Sequence, residues 1–195
     1  MHLTSGEKLT MLELVYGLLL RSGNDAAIAI AEHVGGSVEN FADMMNKKAR
    51  EIGANNTHFV TPHGLDAPDH YTTAYDLALM TQYALKNPVF AKIVATKEIT
   101  IGKRTMYNTN EMLNIYQGAD GVKTGYTGQA GRCLVTSAKR GNMRLISVVL
   151  NCPTRSKRAL SSKKILDYDY ENYKYYNLLK ADEKIDSIPV IKGVK

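Results

Sequence analysis

A chain of 195 residues suits one domain of ordinary size with room for a fragment of a second. Hydrophobic residues make up 44% and charged residues 23%, which excludes a disordered chain, and no run approaches the ~18 consecutive apolar residues of a transmembrane helix. The formal net charge of +6 favours anionic surroundings such as nucleic acid, an anionic membrane face or an acidic wall polymer, but Lys and Arg are scattered, with only a mild cluster from Arg155 to Lys164, as on an ordinary solvated surface.

Near the start, Ser5-Gly6-Glu7-Lys8 has the form S-x-x-K, the signature of a serine nucleophile activated by a lysine one helical turn later. Thr10-Met11-Leu12-Glu13 is a capping box, with Leu9 and Leu14 placed as a hydrophobic staple, and predicts a helix from about Met11 to about Leu20. Ser22-Gly23-Asn24 breaks it. Asp25 is expected to cap a second helix that ends at Gly35-Gly36. Ser37 caps a third, with Phe41, Met44, Met45 and Ala49 on one apolar face and Gly53 at its end. Met44 and Met45 read as core residues. Residues 54–72 form an irregular loop long enough to be functional or well packed. Thr73 and Asp76 cap a fourth helix reaching Asn87-Pro88, and a short fifth covers about Val89 to Ala95.

Strands follow. Lys97 to Ile101 and Arg104 to Tyr107 flank Gly102-Lys103 as a hairpin. G-A-D-G-V-K-T-G-Y-T is a turn feeding a strand. Gly131 to Lys139 and Met143 to Asn151 are apolar, β-branched runs joined by R-G-N, a second hairpin. In that register Cys133 faces about Val148, so the two cysteines, Cys133 and Cys152, are not opposite each other and read as free thiols. An amphipathic helix from about Arg155 to Tyr173 comes next, and the tail I-D-S-I-P-V-I-K-G-V-K reads as the beginning of a strand. A helical cluster, then a mainly antiparallel sheet, then a packing helix make an α+β arrangement.

Ser22-Gly23-Asn24 and Lys123-Thr124-Gly125 carry the chemistry. Each is weak alone. Together, S-x-N at a break between helices and K-T-G on a strand before an antiparallel hairpin match two elements of the penicillin-recognising acyl-serine enzymes. A serine hydroxyl and an asparagine amide can relay protons and hold a substrate amide. A strand-borne lysine faces a substrate carboxylate with a fixed cation, and the adjacent threonine hydroxyl can bond it. The glycine lets an extended peptide lie close along the strand.

The segment from Gly6 through S-G-N-D-A-A to Gly36 resembles the helix pair around the S-x-N motif of low-molecular-weight penicillin-binding proteins, the serine D-alanyl-D-alanine carboxypeptidases. F-A-D-M-M-N-K-K-A-R-E-I-G-A-N-N-T-H-F-V-T-P-H-G-L-D and N-T-N-E-M-L-N-I-Y-Q-G-A-D-G-V-K-T-G-Y-T resemble further segments, so the likeness runs from about Gly6 to Asp167. The resemblance implies the DD-peptidase/β-lactamase-like fold, with residues 1–174 as a partial transpeptidase-like catalytic domain and 175–195 as the start of a C-terminal β-domain. It implies a serine carboxypeptidase acting through an acyl-enzyme on peptidoglycan stem peptides that end in D-Ala–D-Ala, with β-lactams as inhibitors. Ser22 would relay the proton and Asn24 contact the substrate amide. Lys123, Thr124 and Gly125 would hold the carboxylate end. No cofactor, metal or nucleic-acid partner is implied, and the working site is the cell envelope, outside the cytoplasmic membrane.

The family's S-x-x-K lies upstream of the G-E-K-L-T stretch, and the physics agrees that Ser5 is a decoy. An i, i+3 pair needs a shared helical face, yet the capping box starts the helix only at Met11 and Gly6 weakens helix before it. Ten helical residues separate the ends of that helix by roughly 15 Å, whereas a nucleophile must lie within about 3 Å of its proton partner. The expectation is therefore a chain that lacks the nucleophile segment, the signal peptide and any membrane anchor. Two other readings stay open: a catalytically silent fragment that binds peptide or a partner, and a murein endopeptidase or β-lactamase on the same fold. His58, His63 and His70 are read as loop-packing residues, and His33 as favouring a helix terminus. Tyr168, Tyr170, Tyr173, Tyr175 and Tyr176 are read as a helix face on the sheet, followed by an inter-domain contact.

Overall fold

The computed structural model describes residues 1–176 together with 178, 184 and 186. The expected β-domain start over 175–195 therefore falls almost wholly outside the described residues. The elements run α1 (Met11–Arg21), α2 (Asn24–Gly35), α3 (Val38–Glu51), α4 (Ala74–Ala84), α5 (Pro88–Ala95), β1 (Glu98–Ile101), β2 (Arg104–Tyr107), α6 (Met112–Ile115), β3 (Ala119–Thr127), β4 (Gly131–Arg140), β5 (Met143–Cys152) and α7 (Arg155–Asn172).

The caps explain most boundaries. The Thr10 hydroxyl accepts from the Glu13 amide and the Glu13 carboxylate accepts from the Thr10 amide at 2.7 Å, closing the capping box. Ser37, Thr73 and Thr154 accept from the amides three residues on, at 3.1 Å each. Asp25 is not the cap of α2. Its carboxylate is taken by the amides of Leu3 and Ala26 and by the Met1 amine, each at 2.9 Å, and Gly23 stands at the cap position without a side-chain bond. The fourth helix stops at Ala84, short of the predicted end, because the Asn87 carboxamide turns forward to cap α5, accepting from the Val89 and Phe90 amides.

Among the described residues two antiparallel sheets form: the β1–β2 hairpin, and β3-β4-β5 with β3 at one edge. The turn closes with Arg140 opposite Met143, one residue later than expected, so Val148 lies opposite Val135 and not opposite Cys133, and an irregularity between Arg132 and Leu134 then brings Cys152 opposite Arg132. Both cysteines are free.

Among the described residues there are two cores. Tyr16 and Leu20 of α1 pack with Ile93 of α5 and Met106 of β2. Met112 and Tyr116 pack with Leu134 and Ala138 of β4 and with Ala159 and Leu166 of α7. Between α7 and the sheet, the Ser162 hydroxyl donates to Thr136 at 2.8 Å and meets the Ser147 hydroxyl at 2.7 Å, so three buried hydroxyls satisfy one another.

The long loop is well packed. Phe59 exchanges two hydrogen bonds with the Asn46 carboxamide, at 2.6 and 2.8 Å, and the Asp76 carboxylate accepts from the Asn56 amide and the Thr57 hydroxyl at 2.7 Å each. Its histidines serve the same end: His58 Nδ1 lies 2.6 Å from the Asp69 carbonyl, and His63 and His70 accept from the Leu65 and Val60 amides. Met44 departs from expectation. It is 47% exposed and lines a surface groove with Phe41, Met45 and Met80 instead of filling a core. Of the five tyrosines from Tyr168 to Tyr176, Tyr170 packs on the sheet, donating to the Ala138 carbonyl at 2.8 Å, while Tyr168, Tyr173, Tyr175 and Tyr176 are exposed.

Candidate active site

The site lies where the two cores meet. Leu20, fully buried, fixes the end of α1. The next turn places Ser22 in the left-handed region (φ 57°, ψ 44°), with the Ser22 and Gly23 amides turned back to the Gly17 carbonyl. A non-glycine residue there carries strain on the order of 1 kcal/mol or more, and the turn leaves the Ser22 side chain exposed.

A short segment between β2 and α6 ties this turn to β3. The Asn108 carboxamide donates to the carbonyls of Val94 and Thr96 at 3.2 and 2.9 Å and accepts from the Asn110 amide at 2.9 Å. Beside it, the Thr109 amide donates to the Leu20 carbonyl at 3.2 Å, and the Thr109 hydroxyl lies 2.7 Å from the Thr124 hydroxyl. Ser22, Thr124 and Gly125 thereby face one cleft of about 540 Å³, whose walls include Arg21, Thr109, Glu111, Tyr126, Arg132, Arg155 and Arg158. Asn24 lies next door, lining with Ser22 an adjoining cavity of about 660 Å³ that Lys103 and Arg104 rim. Ser22 belongs to both.

Lys123 is not on the wall of either cavity. It is half-buried, and its Nζ donates to the Thr124 carbonyl at 2.8 Å. Burial, and then the charge of Arg158, push its pKa down from 10.5 to about 8. Gly125 has no steric reason inside the fold. A Cβ there would meet only the Cys133 Cβ at 3.6 Å, an ordinary contact, and Gly125 itself lines the cleft.

Several cleft residues were not expected from the sequence. Arg158 is 3% exposed and donates a forked pair of hydrogen bonds to the Glu111 carboxylate at 2.7 and 2.6 Å. Arg132 lies opposite Tyr126 across the β3–β4 ladder, with its guanidinium 4.4 Å above the tyrosine ring. Alternation along β4 from the R-G-N turn would have put Arg132 near the K-T-G strand. No local signal marks Arg158.

Ser5 lies in a turn before α1, closed by the Glu7 amide to the Thr4 carbonyl at 3.1 Å, and lines neither cavity. A second tetrapeptide of the S-x-x-K form, Ser161 to Lys164, lies within α7 and also lines neither cavity.

Helices packed on an antiparallel sheet, with a serine turn facing a K-T-G strand edge, define a penicillin-binding DD-peptidase fold. The penicillin binding protein 5 structure from Haemophilus influenzae matches with a TM-score of 0.89 at 40% identity, over 94% of this chain and 54% of that one. Penicillin binding protein 6B from Escherichia coli matches with a TM-score of 0.87 at 35% identity, over 94% of this chain and 59% of that one. The family model for D-alanyl-D-alanine carboxypeptidase matches residues 1–154. A D-alanyl-D-alanine carboxypeptidase, DacF, of Bacillus subtilis is 42% identical over 98% of this chain and 50% of its own length. The chain belongs to the D-alanyl-D-alanine carboxypeptidase family, and it spans about half the length of the curated relatives it matches.

Proposed function

We propose that this chain forms the substrate-holding half of a serine D-Ala–D-Ala carboxypeptidase that trims peptidoglycan stem peptides outside the cytoplasmic membrane and is acylated by β-lactams. The observation that carries this reading is the joint placement of Ser22, Thr124 and Gly125 on one cleft, tied together through Thr109. The peptide lies extended along the β3 edge, past Gly125. Its terminal carboxylate accepts a hydrogen bond from the Thr124 hydroxyl and feels the positive charge of Lys123 close by. Ser22 relays a proton and the Asn24 carboxamide holds a substrate amide.

We infer that the attacking serine and its lysine come from a segment other than the residues lining this cleft. In the whole enzyme that serine attacks the carbonyl of the penultimate D-alanine. D-Alanine leaves carrying the relayed proton, and water then releases the acyl group. Neither S-x-x-K tetrapeptide of this chain suits the task. Ser5 and Lys8 precede the helix, and Ser161 and Lys164 sit away from the cleft.

Calorimetric titration with an acetylated tripeptide ending in D-Ala–D-Ala tests the substrate reading. Saturable binding is expected, abolished when the peptide carboxylate is amidated and weakened by Thr124→Val. Equal binding of the acid and the amide sinks it. Mass spectrometry after penicillin treatment tests the nucleophile. No covalent adduct on this chain is expected, and an adduct on Ser5 overturns the assignment.

A further inference from the structure

The charge balance of the cleft goes beyond what one terminal carboxylate requires. Arg158 is matched by Glu111. Arg21, Arg132 and Arg155 line the same cleft and have no ion-pair partner among the described residues. Three arginines without an ion-pair partner among the described residues thus line one cleft, and their summed charge makes it electropositive. A single carboxylate at Thr124 leaves most of that charge unanswered.

Strand geometry says where a second anion would go. Val122, on one side of Thr124, is buried, so a ligand lying along β3 leaves toward Tyr126, which is 62% exposed. Tyr126 lies two residues beyond Thr124, about 7 Å along an extended chain. A peptide whose last residue sits at Thr124 advances by the same spacing, so its third residue from the end reaches Tyr126. There Arg132 is held opposite by the strand register and stacked on the ring. Stacking fixes the alkyl stem and leaves the guanidinium edge, with its donors in one plane, free for a carboxylate.

We propose that the Tyr126–Arg132 pair, supported by Arg21 and Arg155, is an anion subsite that selects stem peptides whose third residue from the carboxyl end carries a side-chain carboxylate over those in which it is amidated or basic. This rests on the substrate reading above and sharpens it from a common D-Ala–D-Ala terminus to a choice among stem peptides. The attraction is that of partly exposed charge pairs, which sets its size at roughly three- to tenfold in affinity.

The test is titration of the chain with two isosteric probes, acetyl-L-Glu-D-Ala-D-Ala and acetyl-L-Gln-D-Ala-D-Ala. The Glu probe is expected to bind roughly three- to tenfold more tightly, with the ratio shrinking as salt rises from about 0.05 M to about 0.5 M. Arg132→Gln brings the ratio close to one, whereas Arg132→Lys, which keeps the charge, retains part of it. Thermal melts confirm that both variants are folded. Equal affinities for the two probes, or a ratio unaltered in Arg132→Gln, overturn the proposal. A purely structural Arg132 would shift both probes together and leave the ratio in place, which also overturns it. The substrate reading fails separately: if neither probe binds, or if Thr124→Val leaves both unaffected, the carboxylate site itself is wrong and the anion subsite falls with it.

Discussion

Glu111→Gln isolates the electrostatic footing of the cleft. The Arg158 side chain is 4% exposed and that of Glu111 28%, and two of their hydrogen bonds are 2.7 and 2.6 Å. The substitution keeps the shape and removes the charge, leaving a buried guanidinium with one neutral amide and a 3.4 Å contact to the Cys133 carbonyl. Breaking a fully buried pair from one side costs about 3–5 kcal/mol. Water reaches the Glu111 side of this one, which brings the expectation down to about 2–3 kcal/mol. For a domain of this size that lowers the melting temperature by roughly 5–10 °C. Circular-dichroism melts of Glu111→Gln, Arg158→Met and the double variant give the coupling. The double variant should lose clearly less than the sum of the singles, by about 1.5–3 kcal/mol, because it strands no charge. A Glu111→Gln melt within about 1 °C of the parent, or additive losses, would refute the reasoning.

Two further outcomes follow from local geometry. Lys123 has its pKa lowered to about 8 in the folded chain, so carrying its charge opposes folding. That opposition is complete below about pH 8 and is relieved as pH rises toward its ordinary 10.5, so stability attributable to Lys123 increases across that window and Lys123→Met removes the increase. By the same linkage, a carboxylate bound near Lys123 draws a proton onto it, and calorimetry slightly above pH 8 in two buffers of different ionisation enthalpy should register proton uptake; none would count against Lys123. Gly118 has φ 84°, and a Cβ there would lie 2.6 Å from the Lys139 carbonyl oxygen. Gly118→Ala should therefore cost about 2–4 kcal/mol, seen as a lower urea midpoint at unchanged slope, and a neutral result would show that β3 enters the sheet differently.

What the sequence revealed and what it concealed divide by range. The Thr10–Glu13 box, the Ser37 and Thr73 caps and the R-G-N hairpin each act within a few residues, so their elements could be read directly. The S-x-N and K-T-G motifs identified the elements that bring Ser22, Thr124 and Gly125 together. The four residues of α6 are too few to show a period. The Arg158–Glu111 pair spans 47 positions, and a basic residue one turn into an amphipathic helix looks like any solvated one. Asp25 looked like a helix cap because capping statistics take no account of a carboxylate claimed by a distant amide. Strand periodicity turns neighbouring side chains to opposite faces, so the separation of Lys123 from the cavity wall that Thr124 lines was legible once β3 was assigned. Met44 fell on the apolar face of α3 but at its edge, where a helix has groove on one side and core on the other.

The segment from Asn108 to Asn110 has a consequence for how the protein tolerates change. The gap between Ser22 and Thr124 is bridged by hydrogen bonds more than by core side chains, Leu20 apart. The bridge is made of main-chain atoms, the Thr109 amide on the Leu20 carbonyl, together with the Asn108 carboxamide on the carbonyls of Val94 and Thr96 and one hydroxyl pair. Main-chain donors and acceptors are supplied by almost any residue. Core side chains remote from Leu20 therefore have no direct part in the width of the cleft, whereas Asn108 and Thr109 do.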